Sequence, residues 1–178
     1  MIELLVVFSI SAIIAAVVIA SYPNFSSQLE FDNQVLDIAL TVREAQVYGI
    51  SVKEGYSGAF GLAYGVYFDN NTRDKFILFK DNNSNEQYNT GEELKIFTIK
   101  SGFEIKNGGL CAGATQASAV CFRSSLHVSF KRPNPDAVII ANPGGFKYKY
   151  GGITIRNTKT LKDQTIRITN TGQLFLIQ

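Results

Sequence analysis

Glu3 is the only charged side chain in an apolar stretch that runs from Met1 to Ala20. An ionised carboxylate inside a membrane-length helix is costly, of order 2.5–3.5 kcal/mol near mid-bilayer, so such a residue is usually retained where a cation answers it. A second group is Asp81, Asn83, Asn85, Gln87, Asn89 and Glu92. Oxygen-bearing side chains at alternate positions, closed by an acid at the twelfth, have the spacing of an EF-hand-type calcium loop in which Gln87 offers its backbone carbonyl. Glu86 occupies the sixth position, where that loop wants glycine. The same residues also suit a plain Asn-rich turn between strands. Calcium is therefore the one cofactor the spacing admits, at a weak affinity of roughly 10⁻⁴–10⁻³ M. A third group, Lys147 and Lys149 within Phe146-Lys147-Tyr148-Lys149-Tyr150, together with Lys131 and Arg132, interleaves cations with aromatics. That pattern suits DNA or an anionic surface, and equally a strand with one wet face.

Cys111 and Cys121 stand ten positions apart. If the body is exported, a disulfide closing that short loop is expected, contributing on the order of 2–3 kcal/mol. Otherwise they are two buried thiols. Two cysteines and the single His127 do not make a zinc set, and His127 reads as an ordinary strand residue. There is no Ser-His-Asp or Cys-His arrangement, P-loop or dinucleotide fingerprint, so the expectation is a protein that is not an enzyme.

Charge is segregated. Residues 1–100 carry 7 Lys/Arg against 12 Asp/Glu, and residues 101–178 carry 10 against 3. Such halves can attract each other between copies or draw polyanions to the basic one.

The elements that must position these groups follow from periodicity. Leu4 to Ala20 is interrupted only by Ser9 and Ser11, and at 1.5 Å per residue it reaches roughly 26 Å, the short end of a bilayer span. Its acidic front and the following Ser21-Tyr22-Pro23 favour a retained span over a cleaved signal peptide. Pro23 is expected to kink or locally melt the helix near Ser21 to Asn24. Beyond it, Phe31, Val35, Ile38, Val42 and Ala45 trace one helical stripe, and Gly49 offers a stop. A bent helix over residues 2–48 is the expectation. From Lys53 onward short β-rich runs alternate with Gly, Asn, Asp and Pro. Strands are expected at 64–69, 75–80, 94–99, 120–123, 126–131, 137–140, 146–150, 153–156, 165–169 and 173–177, with loops at 55–65 and 107–118. The fold class is α+β, a long N-terminal helix packed on an antiparallel sheet or two-sheet β-domain. Two parts are expected: 1–24 as the hydrophobic helix, and 25–178 as a globular domain of half-helix 25–48 plus β-rich body 55–178.

Ile2-Glu3-Leu4-Leu5-Val6-Val7 resembles the N-terminal motif of type IV pilins and of the pseudopilins of type II secretion. Arg43-Glu44-Ala45-Gln46-Val47-Tyr48-Gly49 also looks like the end of the long helix in members of that group. The match is close over Ile2 to Val7 and loose over the rest of the first fifty residues; Met1 stands where the family often has leucine. The resemblance implies a pilin-like fold, leader cleavage and N-terminal methylation. It implies a subunit that waits in the inner membrane and is extracted by an assembly machine into an extracellular helical filament of its own copies. In that family the glutamate, here Glu3, meets the N-terminal amine of a neighbouring subunit, with Ile2, Leu4, Leu5, Val6, Val7 and Pro23 in the packed helix. The implied role is adhesion, motility or DNA uptake. The alternatives are a secretion pseudopilin and a membrane-anchored surface domain that never polymerises.

Overall fold

The computed structural model describes residues 2–51 and 61–177, with the side chains of 20–25 left aside. Helix α1 covers Ile2–Ile50. The helical backbone persists through residues 21–24, so the expected local melting at Pro23 does not occur. Proline in a helix interior removes one hydrogen bond at a cost of roughly 3 kcal/mol, which a helix of 49 residues absorbs. Two compact units divide the chain, 1–34 and 35–178, a later boundary than the residue 24 expected from Pro23.

In the first unit Ile2–Ile19 form an 18-residue segment apolar enough, by length and composition, to cross a membrane. Apolar side chains are exposed around its whole circumference, among them Leu5, Phe8, Ile13 and Val17. The two polar interruptions close on the helix itself. Ser9 Oγ donates to the carbonyl of Leu5 at 2.8 Å and Ser11 Oγ to that of Val7 at 2.9 Å. Backbone satisfaction of this kind leaves a helix surface suited to hydrocarbon.

The second unit holds ten strands: β1 Ala63–Asp69, β2 Lys75–Asp81, β3 Glu93–Thr98, β4 Phe103–Gly113, β5 Ser125–Phe130, β6 Ala137–Asn142, β7 Phe146–Tyr148, β8 Tyr150–Asn157, β9 Asp163–Thr169 and β10 Leu174–Ile177. They form a six-stranded sheet, β3-β2-β1-β5-β6-β7, and a four-stranded sheet, β10-β9-β8-β4. Every pairing is antiparallel. The α+β class therefore holds, with two sheets.

The alternation along β1, β2, β5 and β6 decides the core. Tyr64, Val66 and Phe68 face the same way as their partners Phe130, Val128 and Leu126, and as Ala137, Ile139 and Ala141 beyond them. The second half of α1 buries Val35, Ile38, Val42 and Ala45. Its end is tied to the six-stranded sheet by a 3.0 Å hydrogen bond from Arg132 N to Gly49 O. Gly49 lies inside the helix rather than after it. A Cβ there would come within 2.3 Å of the Phe130 carbonyl oxygen, so this glycine serves close approach and the helix stops two positions later than expected. Gly151 of β8 lies against Ile139 and Leu126, which brings the smaller sheet onto the same core.

Two expectations fail in the body. Residues 107–113 are not part of a loop, because β4 runs through Cys111 to Gly113, whereas 114–118 lie outside the strands as expected. The strand hides behind a register shift between Ile105 and Leu110, where Lys106-Asn107-Gly108-Gly109 bulge out of the pairing with β8. Residues 120–123 are not a strand; only Val120 bridges to Ala112. Phe122 takes φ 63° and is 78% exposed, so the segment turns away after the bridge. The run 146–150 splits into β7 and β8 around Lys149. Most of the expected 55–65 loop lies outside the described residues, and 63–65 belong to β1.

Candidate functional sites

The first site is the N-terminal helix. Glu3 sits in its first turn, where the positive end of the helix dipole favours a carboxylate. Glu3, Ile2, Leu4, Leu5, Val6 and Val7 are all exposed. The side chain of Pro23 lies outside the described residues. What this segment presents is an uncovered apolar cylinder with one acid near its tip.

The second site is the segment joining β2 to β3, and it is built on β5. That strand places Leu126, Val128 and Phe130 toward the core and Ser125, His127 and Ser129 on the opposite face. The polar trio is nonetheless buried, because residues 82–92 lie over it. Tyr88 N donates to His127 Nδ1 at 3.0 Å, and Ser129 Oγ donates to the Glu86 carbonyl at 3.2 Å. Glu86 also forms an ion pair with Lys147 of β7.

The covering loop is held by its own acids. Asp81 is 1% exposed; its Oδ1 accepts from Asn85 N at 3.2 Å and its Oδ2 from Glu86 N at 2.8 Å. Asn83 Oδ1 and Asn85 Oδ1 accept from the backbone of Asn85 and Gln87. Glu92 Oε1 accepts from Asn82 N and Oε2 from Asn89 N, both at 2.9 Å. Ser84 and Glu86 both adopt positive φ, 62° and 63°. The sixth position thus has the backbone that a calcium loop requires, without its glycine. By residue type the set is what a hard, oxygen-preferring cation takes, two carboxylates, the amide oxygens of Asn83 and Asn85 and the Gln87 carbonyl, but here the carboxylate and amide oxygens accept from backbone N–H groups of the loop. Among the described residues no three His, Cys, Asp or Glu side chains come together as a metal cluster, so amides and carbonyls would complete the set.

His127 is a strand residue, as its sequence context implies, and it lies in β5. Its imidazole is 4% exposed, stacked at 4.8 Å on Tyr67. Burial lowers its pKa to about 4, with Asp69 pulling weakly the other way. Because Nδ1 accepts a backbone N–H, the ring proton sits on Nε2, which faces both Ser125 Oγ and the Asn142 side-chain amide at 3.4 Å. Ser125 therefore has no base to activate it, although a serine and a histidine are adjacent. Tyr67 and Tyr88 pair at 4.7 Å. The Tyr88 phenol hydrogen-bonds Glu93, and burial followed by that carboxylate pushes its pKa up to about 12. Among these groups is a cleft of about 450 Å³, bordered also by Gln87, Asn89 and Asn142.

Cys111 of β4 and Cys121 are joined by a disulfide of 2.00 Å. The four cations singled out in the sequence do not form one patch. Lys147 is paired with Glu86. It shares a row with Ile140 and His127, four residues along β5 from Lys131, which is roughly 13 Å. Lys149 instead borders a separate open cleft beside Arg167, Phe175 and Leu176. Arg156 and Lys106 are taken up by Asp163, at 2.7 Å and 2.8 Å, and these cations hold the Asp163 carboxyl down to about 2.

Comparison of the chain with protein-family models, with curated proteins and with solved structures finds no match.

Proposed function

We propose that this chain is a structural subunit of an extracellular filament of the type IV pilus kind, polymerising through its N-terminal helix. The observation that carries the reading is the exposed apolar surface of Ile2–Ile19 with Glu3 as its single acid. Burying such a surface from water contributes about 1.5–3 kcal/mol per large side chain, so the segment does not stay in water as a monomer. Lipid satisfies it before assembly. Transfer from lipid to a bundle of sister helices is nearly neutral in hydrophobic terms, because tails and leucines are equally apolar. Packing and one polar contact must supply the difference, and Glu3 is the residue equipped to make it, with a neighbouring subunit's N-terminal amine as partner. Before assembly the protein resides in the inner membrane; afterwards it lies on the cell surface, serving adhesion, motility or DNA uptake. The loop Asp81–Glu92 would hold a calcium ion there through Asp81, Asn83, Asn85, Gln87 and Glu92, bracing the cover over β5.

Glu3→Ala tests the reading. The variant is expected to stay in the membrane fraction while surface filaments containing this subunit, counted by electron microscopy and identified by mass, fall to background. Normal filament yield would overturn the role of Glu3. Absence of the subunit from any filament of the wild type would overturn polymerisation and leave an anchored surface domain.

A further inference from the structure

The open cleft beside Lys149 and Arg167 lies on the four-stranded sheet, and the filament role does not use it. Strand pairing sets its floor. Arg167 of β9 stands beside Phe175 of β10 on one side and Gly152 of β8 on the other, while Ile166 and Ile168 turn to the buried face. Ile177 follows Phe175 on the same face of β10. Tyr150 lies in the next row, opposite Thr169. A Cβ on Gly152 would meet the Tyr150 hydroxyl at 3.1 Å, so the missing side chain there gives the phenol its place across β8. The turn after β4 borders the cleft as well. Its Gln116 Oε1 accepts from Arg167 Nη1 at 2.5 Å, and Thr115 N donates to Ser118 Oγ at 2.9 Å to close the turn. The cleft encloses about 650 Å³, and its exposed lining is mainly apolar.

The charges in it are all of one sign. Lys149 and Arg167 line it, and no Asp or Glu does. Among the described residues neither cation has an ion-pair partner, and Asp163 at the start of β9 is already taken by Arg156 and Lys106. Arg167 is held instead by uncharged groups, Gln116 and the Tyr150 hydroxyl, and its Nε is buried with no acceptor. A buried donor left without an acceptor is costly and calls for a reason. We propose that this cleft binds an organic carboxylate with an apolar body, the acid on Arg167 and Lys149 and the body on Phe175 and Ile177. Side-on pairing of a carboxylate with a guanidinium uses Nε, the donor that lacks a partner. Each other ligand class leaves something unmet. An ammonium compound faces two cations of its own sign. A sugar sets its hydroxyls against apolar walls, and a plain hydrocarbon covers a guanidinium without answering its charge. From the row of Thr169 to that of Thr165 and Ile177 the floor is about 13 Å long, four strand residues. That length and the volume of about 650 Å³ suit a small molecule rather than a long lipid chain. A short acyl chain, an aromatic acid and a peptide terminus share the required chemistry. The site stands entirely within the unit 35–178, so it does not depend on whether the chain polymerises.

The test is an NMR titration of the full chain in a non-ionic detergent, with isotope-labelled arginine side chains and the Arg167 Nε–H resonance as reporter. Arg167→Lys identifies that resonance by removing it. Hexanoate, phenylpropionate and N-acetyl-leucine are the probes, standing for an acyl chain, an aromatic acid and a peptide terminus. Phenylpropanol lacks the charge, phenylpropylammonium reverses it, and acetate lacks the body. The expected result is a saturable shift with at least one of the three carboxylates, the tightest naming the source. All three controls should bind at least about ten-fold more weakly, the effect of losing a charge-assisted pair or the apolar contact. Phenylpropanol enters micelles as readily as phenylpropionate, so a response confined to the carboxylate does not come from the detergent. Phe175→Ala and Lys149→Gln both keep the reporter, and each should weaken binding about five-fold. Melting curves show that each variant is folded, and either one suffices if the other is not. No saturable shift from any of the three carboxylates up to about 20 mM, too weak for a built site, would overturn the proposal. So would an equal response to any of the controls, or wild-type affinity in the folded variants.

Discussion

Acidification from pH 7 to pH 4 should weaken the second unit by about 3 kcal/mol through His127 alone. Its folded pKa is about 4 against 6.5 for a free imidazole. Above pH 6.5 the ring is neutral in both states and nothing is lost. Between pH 6.5 and 4 the unfolded chain binds a proton that the folded chain refuses, so stability falls with pH at about 1.4 kcal/mol per unit. Below pH 4 the folded ring is also charged and this contribution stops growing. The structural reason is that two conditions oppose the proton: the ring is 4% exposed, and its Nδ1 is already the acceptor for Tyr88 N–H. For a unit of this size, 35–178, the loss corresponds to a melting-point drop of roughly 6–12 °C. Because His127 is the single histidine, its ring proton resonances report the pKa directly and without assignment ambiguity. Thermal melts at half-unit pH steps report the linked stability. A midpoint near 6.5 would refute the reasoning, as would a melting point that is flat between pH 6.5 and 4. His127→Gln keeps an acceptor for Tyr88 N–H and should abolish the slope in that window; an unchanged slope would assign it to other groups.

Gly49→Ala should cost about 2–3 kcal/mol in denaturant unfolding, since its Cβ would meet the Phe130 carbonyl at 2.3 Å and neither backbone can yield cheaply; a variant as stable as wild type would show that the helix end does not sit there. Asp163→Asn should cost about 1 kcal/mol, a modest value because the pair is partly solvated. Its depressed pKa stabilises the fold above pH 3.8, and that contribution is lost as pH falls through 2, a window below that of His127; titration of unfolding free energy in the two proteins separates them. Calcium at about 10 mM should raise the melting point by a few degrees relative to chelator, the 1–3 kcal/mol that a dissociation constant of roughly 10⁻⁴–10⁻³ M provides. Superimposable curves would leave Asp81–Glu92 as a turn held by backbone donors alone.

Local chemistry determined much of this protein. The uncovered apolar helix was legible because eighteen residues with one acid cannot be explained by a periodic core stripe, and the half-helix was legible from the 4-3-4-3 spacing of its buried residues. Most strands followed from period-two alternation, as in Thr165-Ile166-Arg167-Ile168-Thr169, whose inward isoleucines are fully buried. β4 was not legible, because a four-residue bulge containing two glycines erases the alternation that defines a strand. The role of Gly49 was equally hidden, since a glycine at a helix end looks the same whether it stops the helix or admits a neighbouring carbonyl. The candidate sites divide along the same line. Glu3 and the Asp81–Glu92 spacing are sequence-local signals. The cleft is not: Tyr67, Tyr88, His127 and Asn142 lie far apart in the chain, and only the pairing of β1, β5 and β6, with the folding of residues 82–92 over them, brings these groups together and turns a polar strand face into a buried one.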